Sequence, residues 1–165
     1  LILTSGGVSM GAYDTVKEVF TAKGTVEFTK VAMHPGMPQG HGFVADDDRD
    51  PVPVITLPGN PVSSFISFEN FVRPAIHKLR GLPAEPRPRK AAQITKAMDS
   101  PEAKRQFARG RFLGDGRVEP VGGGQGSHVI GGLAQSDCLI VVPEGVGHVG
   151  AGDTVDIVDL REDVR

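Results

Sequence analysis

Tryptophan is absent from this 165-residue chain, and tyrosine and cysteine occur once each. One cysteine excludes an internal disulfide framework. Cys138 lies inside the apolar run Cys138-Leu139-Ile140-Val141-Val142, so a buried thiol in a reducing, cytoplasmic compartment is expected. Apolar runs are short: none approaches the ~20 residues that span a bilayer, and no secretory leader is visible. Neither sign of charge dominates, with 18 Lys and Arg against 20 Asp and Glu and a formal net charge of −2. Nucleic acid and membrane surfaces are therefore not expected partners. Metal-ligand spacing is also missing. His34, His41, His77, His128 and His148 fall at no such interval, and the acidic stretch at 45–50 lacks the calcium-loop pattern.

What the chain does hold is a 39% apolar fraction with 22 glycines and 13 prolines, a globular composition rich in turns. It opens directly on Leu1-Ile2-Leu3-Thr4 with no initiator methionine, and is expected to be a piece of a longer protein. Residues 1–4 read as a strand end, 15–23 as a helix capped by Asp14, and 25–33 as a strand closed by the rigid loop His34-Pro35-Gly36-Met37-Pro38. A second strand end, Val54-Ile55-Thr56-Leu57, leads into a helix from Pro61 to about Arg80. Its apolar stripe is Val62, Phe65, Ile66, Val72, Ile76 and Leu79, and Pro74 should kink it. This alternation is the pattern of an α/β sheet. From Leu82 prolines and charges interleave as a stiff linker, and beyond it short β-like runs at 90–97, 106–113, 118–121, 138–142 and 155–160 suggest a small β-barrel. Gly114-Asp115-Gly116 reads as a hairpin turn. The expected domains are 1–81, α/β, and 88–165, a barrel.

The segment Leu57-Pro58-Gly59-Asn60-Pro61-Val62-Ser63 stands between strand and helix. Asn60 suits an N-cap and Pro61 the first helical position, and the amides beyond would welcome an oxyanion. Thr4-Ser5-Gly6-Gly7-Val8-Ser9-Met10-Gly11 is a second such turn, whose glycines let amides converge while Thr4, Ser5 and Ser9 add hydroxyls. It lacks the Lys-Ser/Thr ending of a phosphate-binding P-loop. Gly7-x-Ser9-x-Gly11 also fits a nucleophile elbow with Asp137 and His148 in the right order. Against that, Ser9 lies five residues past the strand end and the helix begins only near Asp14. Lys30 at a strand end, His34 beside its Pro-Gly loop, and Arg109, whose planar fork suits an oxyanion, complete the polar candidates with Ser127.

Taken together, Leu3 to Gly11, Asp14, Pro35-Gly36-x-Pro38 and Leu57 to Ser63 resemble the molybdopterin molybdotransferase family, the bacterial MoeA type and the gephyrin E-domain. Phe107-x-Arg109-Gly110 and Gln125-Gly126-Ser127-His128 carry the match into the second half. The resemblance implies an incomplete molybdopterin-binding α/β domain followed by the family's C-terminal β-barrel. It further implies insertion of molybdate into adenylylated molybdopterin with release of AMP, magnesium dependence, and a homodimer. Asp14 would hold magnesium or assist catalysis with Lys30. Thr4, Ser5, Gly6, Gly7, Ser9, His34, Pro58, Gly59, Asn60, Pro61, Ser63, Arg109 and Ser127 would contact pterin, AMP or molybdate. The runners-up are a molybdopterin adenylyltransferase and a gephyrin-like scaffold. In two respects this chain departs from the family: His34 and Met37 stand where many members carry basic residues, and the family's N-terminal domains and first α/β strand are not in it.

Overall fold

The computed structural model describes residues 1–6, 19–20, 26–46, 49–121 and 130–161. They form two compact units: Leu1–Val31 with Gly36–Pro86, and Ala32–Pro35 with Arg87–Arg165. The architecture is mixed α/β in the first unit and a closed barrel in the second.

The first unit is built on a four-stranded sheet. β1 (Ile2–Ser5) and β2 (Val26–Lys30) come first in the chain. β3 (Met33–His34) follows but belongs to the other unit, and β4 (Pro38–Asp46) and β5 (Arg49–Leu57) complete the sheet. The order is β1-β5-β4-β2. β1 runs parallel to β5, whereas β4 is antiparallel to both β5 and β2. β1, β2 and β5 therefore all end at one edge of the sheet. β5 tolerates Pro51 and Pro53 because β1 pairs only with Val54 to Leu57, leaving the proline stretch paired on one side. Within the acidic stretch, Asp46 ends β4 and Arg49 opens β5, and the two pair with each other.

After the turn the chain forms α1 (Pro61–Ser67), a π-helical turn (Phe68–Val72) and α2 (Arg73–Leu79). The kink expected at Pro74 is thus met upstream. Proline has no N–H for the carbonyl four residues back, at Asn70, and the wider turn absorbs the mismatch. Val62, Ile66 and Val72 are fully buried, but Leu79 is 57% exposed, so the expected stripe stops short of it. Of the expected helix at 15–23, only Val19 and Phe20 lie within the described residues, and both are helical.

In the second unit β6 (Arg89–Ile94), β8 (Arg105–Gly114), β9 (Arg117–Pro120), β10 (Cys138–Val142) and β12 (Thr154–Asp159) close a five-stranded ring. Its order is β10-β12-β6-β9-β8 and back to β10. Closure leaves the ring without a free edge. β7 (Met98–Asp99) and β11 (His148–Val149) pair as a small separate sheet, and α3 (Ile130–Ala134) precedes β10. Every residue of β10 is buried. Burying a large aliphatic side chain contributes about 2 kcal/mol, so β10 is the barrel's main apolar anchor. Asp115 adopts φ 50 between Gly114 and Gly116, as the expected hairpin requires. β3 joins parallel to β8, with Met33 opposite Arg105 and His34 opposite Gln106.

Candidate functional site

The turns that follow β1 and β5 meet. The register Ser5 to Leu57 ends both strands together, and the Gly6 N–H donates to the Leu57 carbonyl at 2.9 Å. Gly6 takes φ 87, a left-handed conformation that suits glycine. A Cβ on Gly59 would stand 3.2 Å from the Gly6 Cα, so the two backbones touch where a side chain would part them. Ser64 locks this junction: its hydroxyl donates to the Pro58 carbonyl and lies 3.4 Å from the Ser5 Oγ. The carboxyl ends of adjacent parallel strands are where ligands of α/β sheets collect.

Polar atoms are left over there. Thr4 Oγ1 and Asn60 Oδ1 are buried and find no hydrogen-bond partner among the described residues. Asn60 does occupy the N-cap position, and its carbonyl accepts the Ser64 N–H at 2.8 Å, but its side chain makes no capping bond. The expected cap is thus made by backbone alone, which leaves the amide for another partner. Pro58 is buried and Gly59 and Pro61 are exposed, whereas Ser63 is turned into the interior at 6% exposure. Lys30 ends β2 at the same edge of the sheet, exposed, two strand spacings or about 10 Å from β5.

Arg109 and His34 belong to the second unit. Arg109 sits in β8 opposite Leu139 and is 1% exposed. Its guanidinium lies against Gly132 of α3, where an added Cβ would be 3.2 Å from Nη1. Burial lowers its pKa from the usual arginine value, yet a guanidinium stays charged through any ordinary pH. His34 is half-buried, and burial first, then the neighbouring Lys104 charge, lowers its pKa. Gly7, Ser9, Asp14 and Ser127 lie outside the described residues.

Two family models cover the chain in succession. "Probable molybdopterin binding domain" matches residues 1–78, and "MoeA C-terminal region (domain IV)" matches 91–160. The chain belongs to the MoeA family of molybdopterin biosynthesis proteins. Among family members, molybdopterin molybdenumtransferase 2 of Mycobacterium tuberculosis is 44% identical over 97% of this chain and 40% of its own length. The molybdopterin molybdenumtransferase of Haemophilus influenzae is 36% identical over 95% of this chain and 39% of its own. The chain thus spans about two fifths of the length of these relatives. In fold it is similar to the molybdopterin biosynthesis MoeA protein of Pyrococcus horikoshii, with a TM-score of 0.76 at 24% identity, covering 99% of this chain and 38% of that one. A molybdenum cofactor biosynthesis protein from Pyrococcus furiosus gives a TM-score of 0.69 at 26% identity, covering 96% and 48%.

Of the two glycine turns, Ser5-Gly6 and Pro58-Gly59 are brought together. Ser64, which ties them, was not among the residues expected, and its neighbour Ser63 was. Helical periodicity alone does not say which of two adjacent serines faces the turn. The nucleophile-elbow pattern gains nothing among the described residues. Asp137 Oδ1 accepts the Phe112 N–H at 2.8 Å, while His148 pairs with Asp99 at 2.8 Å. No group of three or more His, Cys, Asp and Glu that would hold a metal occurs among the described residues. No helix among them is long and apolar enough to cross a membrane.

Proposed function

We propose that this chain carries part of the site at which molybdate is inserted into adenylylated molybdopterin, with AMP released, in a protein that works as a homodimer. The observation that carries this reading is the junction of Ser5-Gly6 with Pro58-Gly59-Asn60, flanked by Thr4 Oγ1 and Asn60 Oδ1, both buried and without a partner among the described residues. A buried polar atom without a partner costs about 1–3 kcal/mol; the Thr4 hydroxyl would donate to a phosphate or pterin oxygen, and Asn60 Oδ1 would accept from a pterin N–H. A rigid turn holds such groups without reorganisation when ligand arrives. Lys30 offers a mobile ammonium at the same sheet edge. Ser5 offers a hydroxyl donor, and Arg109 is assigned to the same ligand by motif alone. Phosphate, pterin phosphate and molybdate are all anions, so each of these groups would offset negative charge as it is brought together. Gly7, Ser9, His34, Pro61, Ser63 and Ser127 are assigned to the same ligand by motif. The magnesium that the family resemblance implies rests here on Asp14, and the described residues do not themselves form a site for it.

Equilibrium dialysis of the chain against adenylylated molybdopterin tests the reading. Binding is expected, weakened about tenfold or more by Asn60→Ala, since a truncated partner leaves ligand polar groups unpaired. A wild-type chain that does not bind, or an Asn60→Ala chain that binds equally well, overturns it.

A further inference from the structure

We infer that Gln39 is a positioning residue of this site, holding the loop at Gly36–Met37 against the helix that starts at the Asn60–Pro61 turn. This inference rests on the functional reading above. Gln39 opens β4 and is 7% exposed. Its Nε2 donates twice, to the Gly36 carbonyl at 2.5 Å and to the Ser67 Oγ at 2.6 Å. Ser67 is fully buried at the end of α1. One amide nitrogen therefore joins the loop before β4 to the helix that follows β5.

The place of Gly36 gives that link its importance. The chain leaves the first unit after Val31, contributes residues 32–35 to the second, and returns at Gly36. Gly36 takes φ 99, which a side chain would oppose. Two bonds fix the return: the Val31 N–H donates to the Met37 carbonyl at 2.8 Å, and Gln39 holds the Gly36 carbonyl. The first bond extends the β2–β4 ladder, while the second depends on one side chain.

That side chain is an odd choice for a fold alone. Gln39 Oε1 is buried with no hydrogen-bond partner among the described residues. A methionine of similar length would fill the space without that penalty. A residue kept only for stability would not carry an orphaned acceptor. A residue kept to hold a loop in one conformation would.

The test compares the whole chain with its Gln39→Met and Ser67→Ala variants. Exchange of the Val31 amide hydrogen reports the loop, dialysis against adenylylated molybdopterin reports the site, and melting temperature reports the fold. For Gln39→Met, Val31 exchange is expected to rise about tenfold or more as the loop opens locally. Affinity should fall about fivefold while the melting temperature is not lowered. Ser67→Ala keeps the Gly36 bond, so its Val31 exchange should change less than about twofold. Unchanged Val31 exchange in Gln39→Met, or faster exchange with unchanged affinity, overturns the inference. If Gln39→Met does not fold, Gln39→Leu replaces it, and failure of both to fold overturns the positioning role in favour of a purely structural one. A wild-type chain that binds no adenylylated molybdopterin overturns the functional reading. Val31 exchange then still decides whether Gln39 holds the loop.

Discussion

His34 shows how a single side chain links the fold to solution conditions. It stands in β3 opposite Gln106, with Lys104 and Arg105 just before that residue on β8 and Glu144 paired to Arg105 at 3.1 Å. Burial and then the Lys104 charge both disfavour its proton, so the folded pKa lies below the ordinary histidine value. In the unfolded chain the ring takes up its proton near pH ~6.5. Above that value the ring is neutral in both states and the fold loses nothing. As pH falls from there towards the folded pKa, the unfolded chain binds the proton first, and stability declines. Urea unfolding midpoints at about pH 7 and about pH 5.5 should therefore differ, and Gln in place of His34 should shrink the difference. An equal difference in His34→Gln would assign the pH dependence to other groups. The same neutrality bears on function, because Met37 beside it brings no charge either. At neutral pH this loop contributes shape and backbone polarity more than positive charge.

Elements with a strong period were legible, and elements defined by their partners were not. Gly110 shows the packing that sequence hides. It lies in β8 opposite Cys138, and a Cβ there would stand 2.9 Å from both the Cys138 Sγ and the Ile140 Cγ1. Gly110→Ala should therefore destabilise the barrel by about 1–3 kcal/mol. Gly131→Ala in α3, where a Cβ meets nothing within 4 Å, should be neutral or slightly stabilising. Denaturant melts of the two variants check this, and equal midpoints would mean that the barrel interior yields easily. β10 was readable as an unbroken apolar run, and the β8–β9 hairpin from its Gly-Asp-Gly turn. β4 is hidden in the sequence because Gly40 and Gly42 interrupt its alternation, although a Cβ on Gly40 would overlap Thr56 Oγ1 and stand 2.8 Å from the Phe28 ring. The strand expected over 25–33 is two strands: β2 ends at Lys30, and β3, too short to carry a period of its own, is made a separate strand only by its pairing with β8. The site divides in the same way. The glycine turns announced themselves through φ and capping chemistry, while Ser64 and Gln39 act through partners far along the chain.

At the scale of the whole molecule, the path of the chain matters more than the count of its elements. All five strands of the closed ring come from β6 onward, and the barrel's apolar cluster runs from Ala92 to Ile157. Nothing in that ring needs β3 for closure. What β3 supplies is local: the Ala32 carbonyl accepts the Arg105 N–H at 3.0 Å, at the end of β8 that extends past β9. Residues 87–165 produced alone should therefore keep a strand-type circular dichroism spectrum and melt cooperatively, because a closed sheet with its own core meets the requirement for independent folding. Their Arg105 amide should lose its protection from hydrogen exchange, while amides of β10, bonded on both sides within the ring, keep theirs. A segment that fails to fold would show instead that the four residues at 32–35 nucleate the barrel. In that case the excursion from the first unit into the second would be a condition of the second unit's stability, and the loop that returns at Gly36 would bear on both.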